Sequence, residues 1–96
     1  MANFIVSYDL NGPSPSHKEV DDLLESLGAT RGRILETVWY VGWNGSCETL
    51  ANAVNGILSA NDQFVVVEAR EMFWRNLLIT DESLRESWVA NEPANA

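Results

Sequence analysis

Apolar residues recur along this chain with two periods, and the switches between them mark out seven stretches. Residues 3–9 (Asn-Phe-Ile-Val-Ser-Tyr-Asp) put Phe4, Val6 and Tyr8 on one face of a strand and Ile5 and Ser7 on the other. Apolar side chains on nearly both faces predict a central strand. The run Leu10-Asn11-Gly12-Pro13-Ser14-Pro15 breaks the pattern and reads as a loop. The period then becomes helical, with Val20, Leu23, Leu24 and Leu27 on one face. Ser16 and Glu19 have the spacing of a capping box, in which each side chain satisfies a free backbone N–H. Glu19, Asp21, Asp22 and Glu25 fall largely off the apolar face, in solvent, and Gly28 suits the helix C-terminus.

Residues 29–42 form an extended region whose strongest strand formers run from Ile34 to Val41. One long bent strand and a hairpin of two strands both fit it. Gly42-Trp43-Asn44-Gly45 reads as the turn that ends it, and Ser46 as the cap of a second helix. Leu50, Val54, Ile57 and Leu58 give that helix its stripe, and Asn61-Asp62 closes it. Gln63 to Ala69 alternates Phe64 and Val66 with Val65 and Val67, another strand. A last strand is expected near Phe73–Ile79. Thr80 caps a short final helix with Asp81 and Glu82 in its first turn, where acid favours the helix dipole, and Leu84 and Trp88 face inward together.

Read with the hairpin, the first six elements are βαββαβ. The expected fold class is therefore α+β: a ferredoxin-like sandwich of two helices on an antiparallel sheet, with a short C-terminal helix. Residues 1–89 form the single domain and residues 90–96 a flexible tail.

Composition narrows the function. The chain of 96 residues carries 14 acidic and 6 basic side chains, a net charge of −8. That balance repels phosphate backbones and suits docking on a basic partner, although a solvated acidic surface also serves solubility alone. One cysteine permits no internal disulfide. No run approaches the ~18 apolar residues of a membrane span. The N-terminal Met1-Ala2-Asn3-Phe4 leads directly into a strand rather than a signal sequence. The expectation is a cytoplasmic protein with no membrane partner.

Three motifs then resemble a known family. The first strand ends in Ser7-Tyr8-Asp9-Leu10, similar to a strand-ending Tyr-Asp pair. After the first helix comes Arg33-Ile34-Leu35-Glu36-Thr37-Val38-Trp39, similar to a Ser-Val-Trp strand with Thr in place of Ser. After the second comes Asn61-Asp62-Gln63-Phe64-Val65-Val66, similar to an Asp that precedes a strand. In this order, over residues 3–89, they resemble the Cas-two-like CRISPR adaptation nucleases and their SinR-type relatives; the Trp74 region and Trp88 resemble the SinR-type tail. The resemblance implies a homodimer in which last strands cross to the partner sheet. It also implies a metal-ligating, catalytic Asp9 near the two-fold axis, where two such aspartates hold one Mg²⁺ or Mn²⁺ and activate water for phosphodiester cleavage.

The candidate residues carry competing readings. Asp9 is either that metal ligand or the cap of the Asn11-Gly12 turn. Asp62 reads as a turn cap more readily than as a ligand. Glu19, Asp22 and Glu25 on the first helix are the candidate partner-binding acids of an interaction protein. Such a protein, for instance a phage-type anti-CRISPR inhibitor, covers a basic nucleic-acid groove. A regulatory or antitoxin-like dimer without chemistry is a third class. Cys47 and His17 form a nucleophile and base only if the fold joins them. Trp39, Tyr40, Trp43 and Trp74 stack on bases or fill the core, and the lack of interleaved cations favours the core. One Cys and one His are too few for a structural zinc site.

Overall fold

The computed structural model describes residues 2–12, 14–27 and 30–92. Its elements run β1 (Ala2–Asp9), α1 (His17–Ser26), β2 (Thr30–Leu35), β3 (Val38–Trp43), α2 (Cys47–Asn55), β4 (Gln63–Glu68) and α3 (Asp81–Ala90). The strands make one antiparallel sheet in the order β2-β3-β1-β4. The α+β class is as expected. The extended region resolves as a hairpin turning at Glu36 and Thr37, with a register shift between Arg33 and Leu35.

β1 occupies the centre, paired with β3 on one side and β4 on the other. Its alternation sorts the molecule into layers. Phe4, Val6 and Tyr8 join Trp39 and Val41 of β3 on the front face, where Val20 and Leu24 of α1 and Leu50 and Val54 of α2 cover them. Leu24 and Leu50 are fully buried, each contributing about 1.5–3 kcal/mol over exposure. The capping box of Ser16 and Glu19 is formed, and Ser46 and Thr80 cap α2 and α3 as their sequences require. Gly28 lies outside the described residues; the cap that is seen is Leu27, whose N–H donates to Leu24.

The back face is covered differently. Tyr40 of β3 and Ile34 of β2 pack there against Leu84 and Trp88 of α3, flanked by Met72, Trp74, Leu77 and Ile79. Residues 71–80 form no strand, contrary to expectation. Their apolar spacing serves a strap that crosses the back of the sheet. The N–H of Ala69 still bonds Asn3 on β1, whereas that of Leu78 bonds Ile34 in β2 at the far edge. Asn76 turns the strap with φ of 56°, a left-handed conformation that Asn tolerates.

Three boundaries move. Gly42 and Trp43 belong to β3, with Gly42 paired to Asn3 and Thr30, so the turn starts at Asn44. α2 ends at Asn55, leaving Ile57 and Leu58 in the turn beyond it. The packed chain extends past 89: Asn91 is buried, caps α3 and donates from Nδ2 to the Tyr40 hydroxyl at 3.2 Å.

Each face of the sheet carries a polar fastening. At the back, the Tyr40 hydroxyl donates to Asn3 Oδ1 at 2.6 Å, and Asn3 Nδ2 donates to the Trp88 carbonyl at 3.0 Å. At the front, Asp21 Oδ1 accepts from the Tyr8 hydroxyl at 2.9 Å and the Trp39 indole N–H at 3.1 Å. Asp21 is therefore not a solvated helix acid. Burial, then the bond to Asp21, pushes the Tyr8 hydroxyl above its ordinary range.

Tyr40→Phe leaves the buried Asn3 carbonyl oxygen without its hydroxyl donor and is expected to cost about 1–3 kcal/mol of unfolding free energy in urea melts. Asp21→Ala is expected to cost a similar amount, since it strips the acceptor from two part-buried donors. A Tyr8→Phe, Asp21→Ala double mutant should then show non-additivity in the same melts.

Candidate functional site

Asp9 closes β1 on the back face, opposite Gln63 of β4, and is exposed. It lies in a shallow depression of about 200 Å³ lined by Ser7, Tyr8, Asp9, Gln63, Phe64 and Val65. It does not hold the Asn11-Gly12 turn. That work is done by Asp62, whose Oδ1 accepts from the Asn11 N–H at 2.8 Å and whose Oδ2 accepts from the Ser59 N–H at 2.8 Å. Asn11 Nδ2 donates to the Asn61 carbonyl at 2.7 Å, so the loops after β1 and α2 are tied together. The bonds from Asn11 and Ser59 hold the Asp62 carboxyl below the usual carboxylate range.

As a metal centre the Asp9 region is sparse. Among the described residues no group of three or more His, Cys, Asp or Glu gathers closely enough to hold an ion. Within one chain Asp9 is a lone carboxylate over an open depression, so a Mg²⁺ or Mn²⁺ site there would need ligands from elsewhere.

The helix-one acids separate on inspection. Glu19 is occupied in the capping box. Asp22 pairs with Lys18 at 2.8 Å and raises the pKa of that lysine. Glu25 meets Arg31 at 3.9 Å. The pattern continues across the molecule. Arg33 approaches Asp21, Arg70 approaches Glu68, and Arg85 binds Asp81 at 2.7 Å. Five of the six cations are thus within 4.0 Å of the chain's own acids. Subtracting those five acids from fourteen leaves nine unmatched.

The other candidates resolve into structure. The Cys47 thiol donates to the Val66 carbonyl at 3.3 Å, and His17 packs its ring 6.0 Å from that of Tyr8. Trp39 and Tyr40 are buried, and Trp43 donates to the Thr49 hydroxyl. Trp74 lies between Trp88, with ring centres 6.4 Å apart, and Arg85, whose guanidinium sits 5.2 Å from the ring centre. These are packing roles.

The sequence reading missed Asp21 as a fastening and Asp62 as a clamp between loops. Asp21 directly follows core residue Val20, and a carboxylate so close to an apolar stripe was a usable signal; Asp62 was legible as a turn cap, which its bond from the Ser59 N–H bears out, but not as the partner of Asn11, 51 positions away. No protein-family model matches the chain, and no curated protein sequence matches it. No helix among the described residues is long and apolar enough to cross a membrane.

The Asp62 clamp gives a pH prediction. Its lowered pKa contributes stability that is fully present above the unfolded-state value near ~3.9 and is lost as pH falls through the lower folded value. Asp62→Asn should therefore flatten the acid limb of a Tm-versus-pH profile, with wild type and variant converging at the lowest pH.

Proposed function

We propose that this chain is a cytoplasmic interaction protein that docks its acidic surface on a basic face of a protein partner, on a ferredoxin-like scaffold of the Cas-two-like type. The βαββαβ order and the antiparallel sheet order support the scaffold reading. The observation that carries the functional reading is the internal pairing of five of the six cations. A nucleic-acid binder needs cations free to displace counterions, and among the described residues this chain pairs all of its own but Arg75 with its own acids. Its unmatched acids instead provide a field that attracts a basic surface. An inhibitor covering a nucleic-acid groove has this chemistry; Asp22 and Glu25, exposed on α1, serve as contact acids by exchanging their own pairs with Lys18 and Arg31 for the partner's cations. Glu19 is set apart, because changing it removes the side-chain half of the α1 capping box, the bond its carboxylate accepts from the Ser16 N–H.

A second reading, the metal-dependent nuclease, is favoured by one observation: Asp9 is exposed at the end of the central strand, over a depression. It requires a homodimer that brings a second Asp9 to a shared Mg²⁺ or Mn²⁺.

The readings differ in two assays. A labelled lysine homopolymer should bind the wild type, lose about tenfold or more in affinity to Asp22→Lys, Glu25→Lys, and bind less tightly as salt is added. Binding indifferent to both changes overturns the docking reading. DNA or RNA cleavage that needs Mg²⁺ or Mn²⁺ and disappears in Asp9→Ala would establish the nuclease in its place.

A further inference from the structure

The two edges of the sheet are finished differently. At β2 the register is broken between Arg33 and Leu35, and the Leu78 N–H caps the Ile34 carbonyl. At β4 the six residues Gln63–Glu68 run in unbroken register with β1, without proline, bulge or basic residue. The ladder fixes which backbone groups are unspent. Ala69 donates to Asn3, so the odd residues of β4 turn their N–H and C=O toward β1. Those of Phe64, Val66 and Glu68 turn outward. Of these, the Val66 carbonyl receives the weak thiol bond from Cys47 at 3.3 Å. Beside that edge, Val65 and Val67 stand 53 % and 47 % exposed on the back face, where the strap and α3 do not reach.

Resting on the docking function proposed above, we infer that the β4 edge is where the basic partner engages, by adding one extended segment to the sheet. The segment carries apolar side chains at alternate positions, flush with Val65 and Val67, and a basic residue at each end. The period of two requires the alternation, because only residues on the same face meet across a ladder. Charge requires the ends: Asp9 is exposed beside Gln63 at one end of β4, and at the other the exposed Glu68 and Glu71 outnumber Arg70, which lies 4.0 Å from Glu68. An added strand lies two strand spacings from β1, roughly 10 Å, which an extended lysine can approach toward Asp9.

The test uses the intact protein and a fluorescein-labelled peptide of alternating valine and threonine with a lysine at each end. Saturable binding by anisotropy is expected, together with slower iodoacetamide alkylation of Cys47, whose thiol sits at the edge. N-methylation of the peptide amides that face β4 should weaken binding about tenfold or more, without altering the protein. Val65→Thr, Val67→Thr, which keeps strand propensity, should weaken it several-fold. Binding that survives N-methylation, or that leaves Cys47 alkylation unchanged, places the peptide elsewhere and overturns the inference. So does a dimer by sedimentation that the peptide does not dissociate and in which Cys47 is already slow to alkylate, since a second copy then owns the edge. If the lysine homopolymer binds and the peptide does not, the edge proposal fails while the acidic-docking reading stands; if neither binds, both fail.

Discussion

Strand β1 is hemmed in on four sides, and the rest of the fold answers that constraint. Both of its edges are hydrogen-bonded, to β3 and β4. Phe4, Val6 and Tyr8 are buried on its front face, and Asn3 on its back. Such a strand cannot leave its front face or the first half of its back face to water, so the chain builds a layer on each side, with the back one stopping short of Asp9. The two crossover helices provide the front layer. The strap and α3 provide the back one, which is why the last part of the chain packs without joining the sheet. Each layer is also fastened by a polar group reaching the sheet: Asp21 of α1 takes Tyr8 and Trp39, and Asn91 at the end of α3 takes Tyr40. Directional bonds of this kind fix where a helix sits on an apolar face that would otherwise accept several positions.

The back layer is narrower than the sheet it covers. Its contacts reach Ile34 on β2, Tyr40 and Val38 on β3, Ile5 on β1 and Ala69 just past the end of β4. β4 consequently keeps its front residues, Phe64 and Val66, against the core and its back residues, Val65 and Val67, in partial contact with water. The same strap that leaves β4 uncovered closes β2 through Leu78. One segment therefore decides the state of both edges, and it does so by running across the sheet instead of along it.

The elements legible in the sequence were those defined by local period and local caps. The stripe Val20, Leu23, Leu24, Leu27 and the Ser16–Glu19 box specify α1 without reference to anything distant. Phe4 to Asp9 announced a central strand because it is rich in strand formers and carries apolar side chains on nearly both faces. What failed was long-range. Met72, Trp74, Leu77 and Ile79 are apolar because each packs against the back core, and a strap of this kind carries no period to separate it from a strand. Gly42 and Trp43 looked like turn chemistry, yet pairing with Asn3 and Ala2 holds them in β3. At the candidate site, Asp9 was placed correctly at the end of β1. The holder of the neighbouring turn was not, since only the fold brings Asp62 to Asn11.

Charge links these structural facts to function. Isolated exposed ion pairs add little stability, about 0–1 kcal/mol, so the internal use of five cations is not chiefly a stabilising device. Its consequence is for the outer field. Arg33 is directed at Asp21, the carboxylate that fastens α1, and Arg31 reaches the Glu25 carbonyl at the end of that helix, so two of the six cations serve the α1–β2 packing. Arg85 is held between Asp81 and the Trp74 ring in the back layer. Arg31, Arg33 and Arg85 thereby join elements while staying at the surface, and the acids left over dominate the outer field. On the docking function proposed above, a protein arranged this way offers a phosphate backbone little to bind, whereas a cationic surface would find in it both an attractive field and, at β4, outward-facing backbone groups on which a strand could settle.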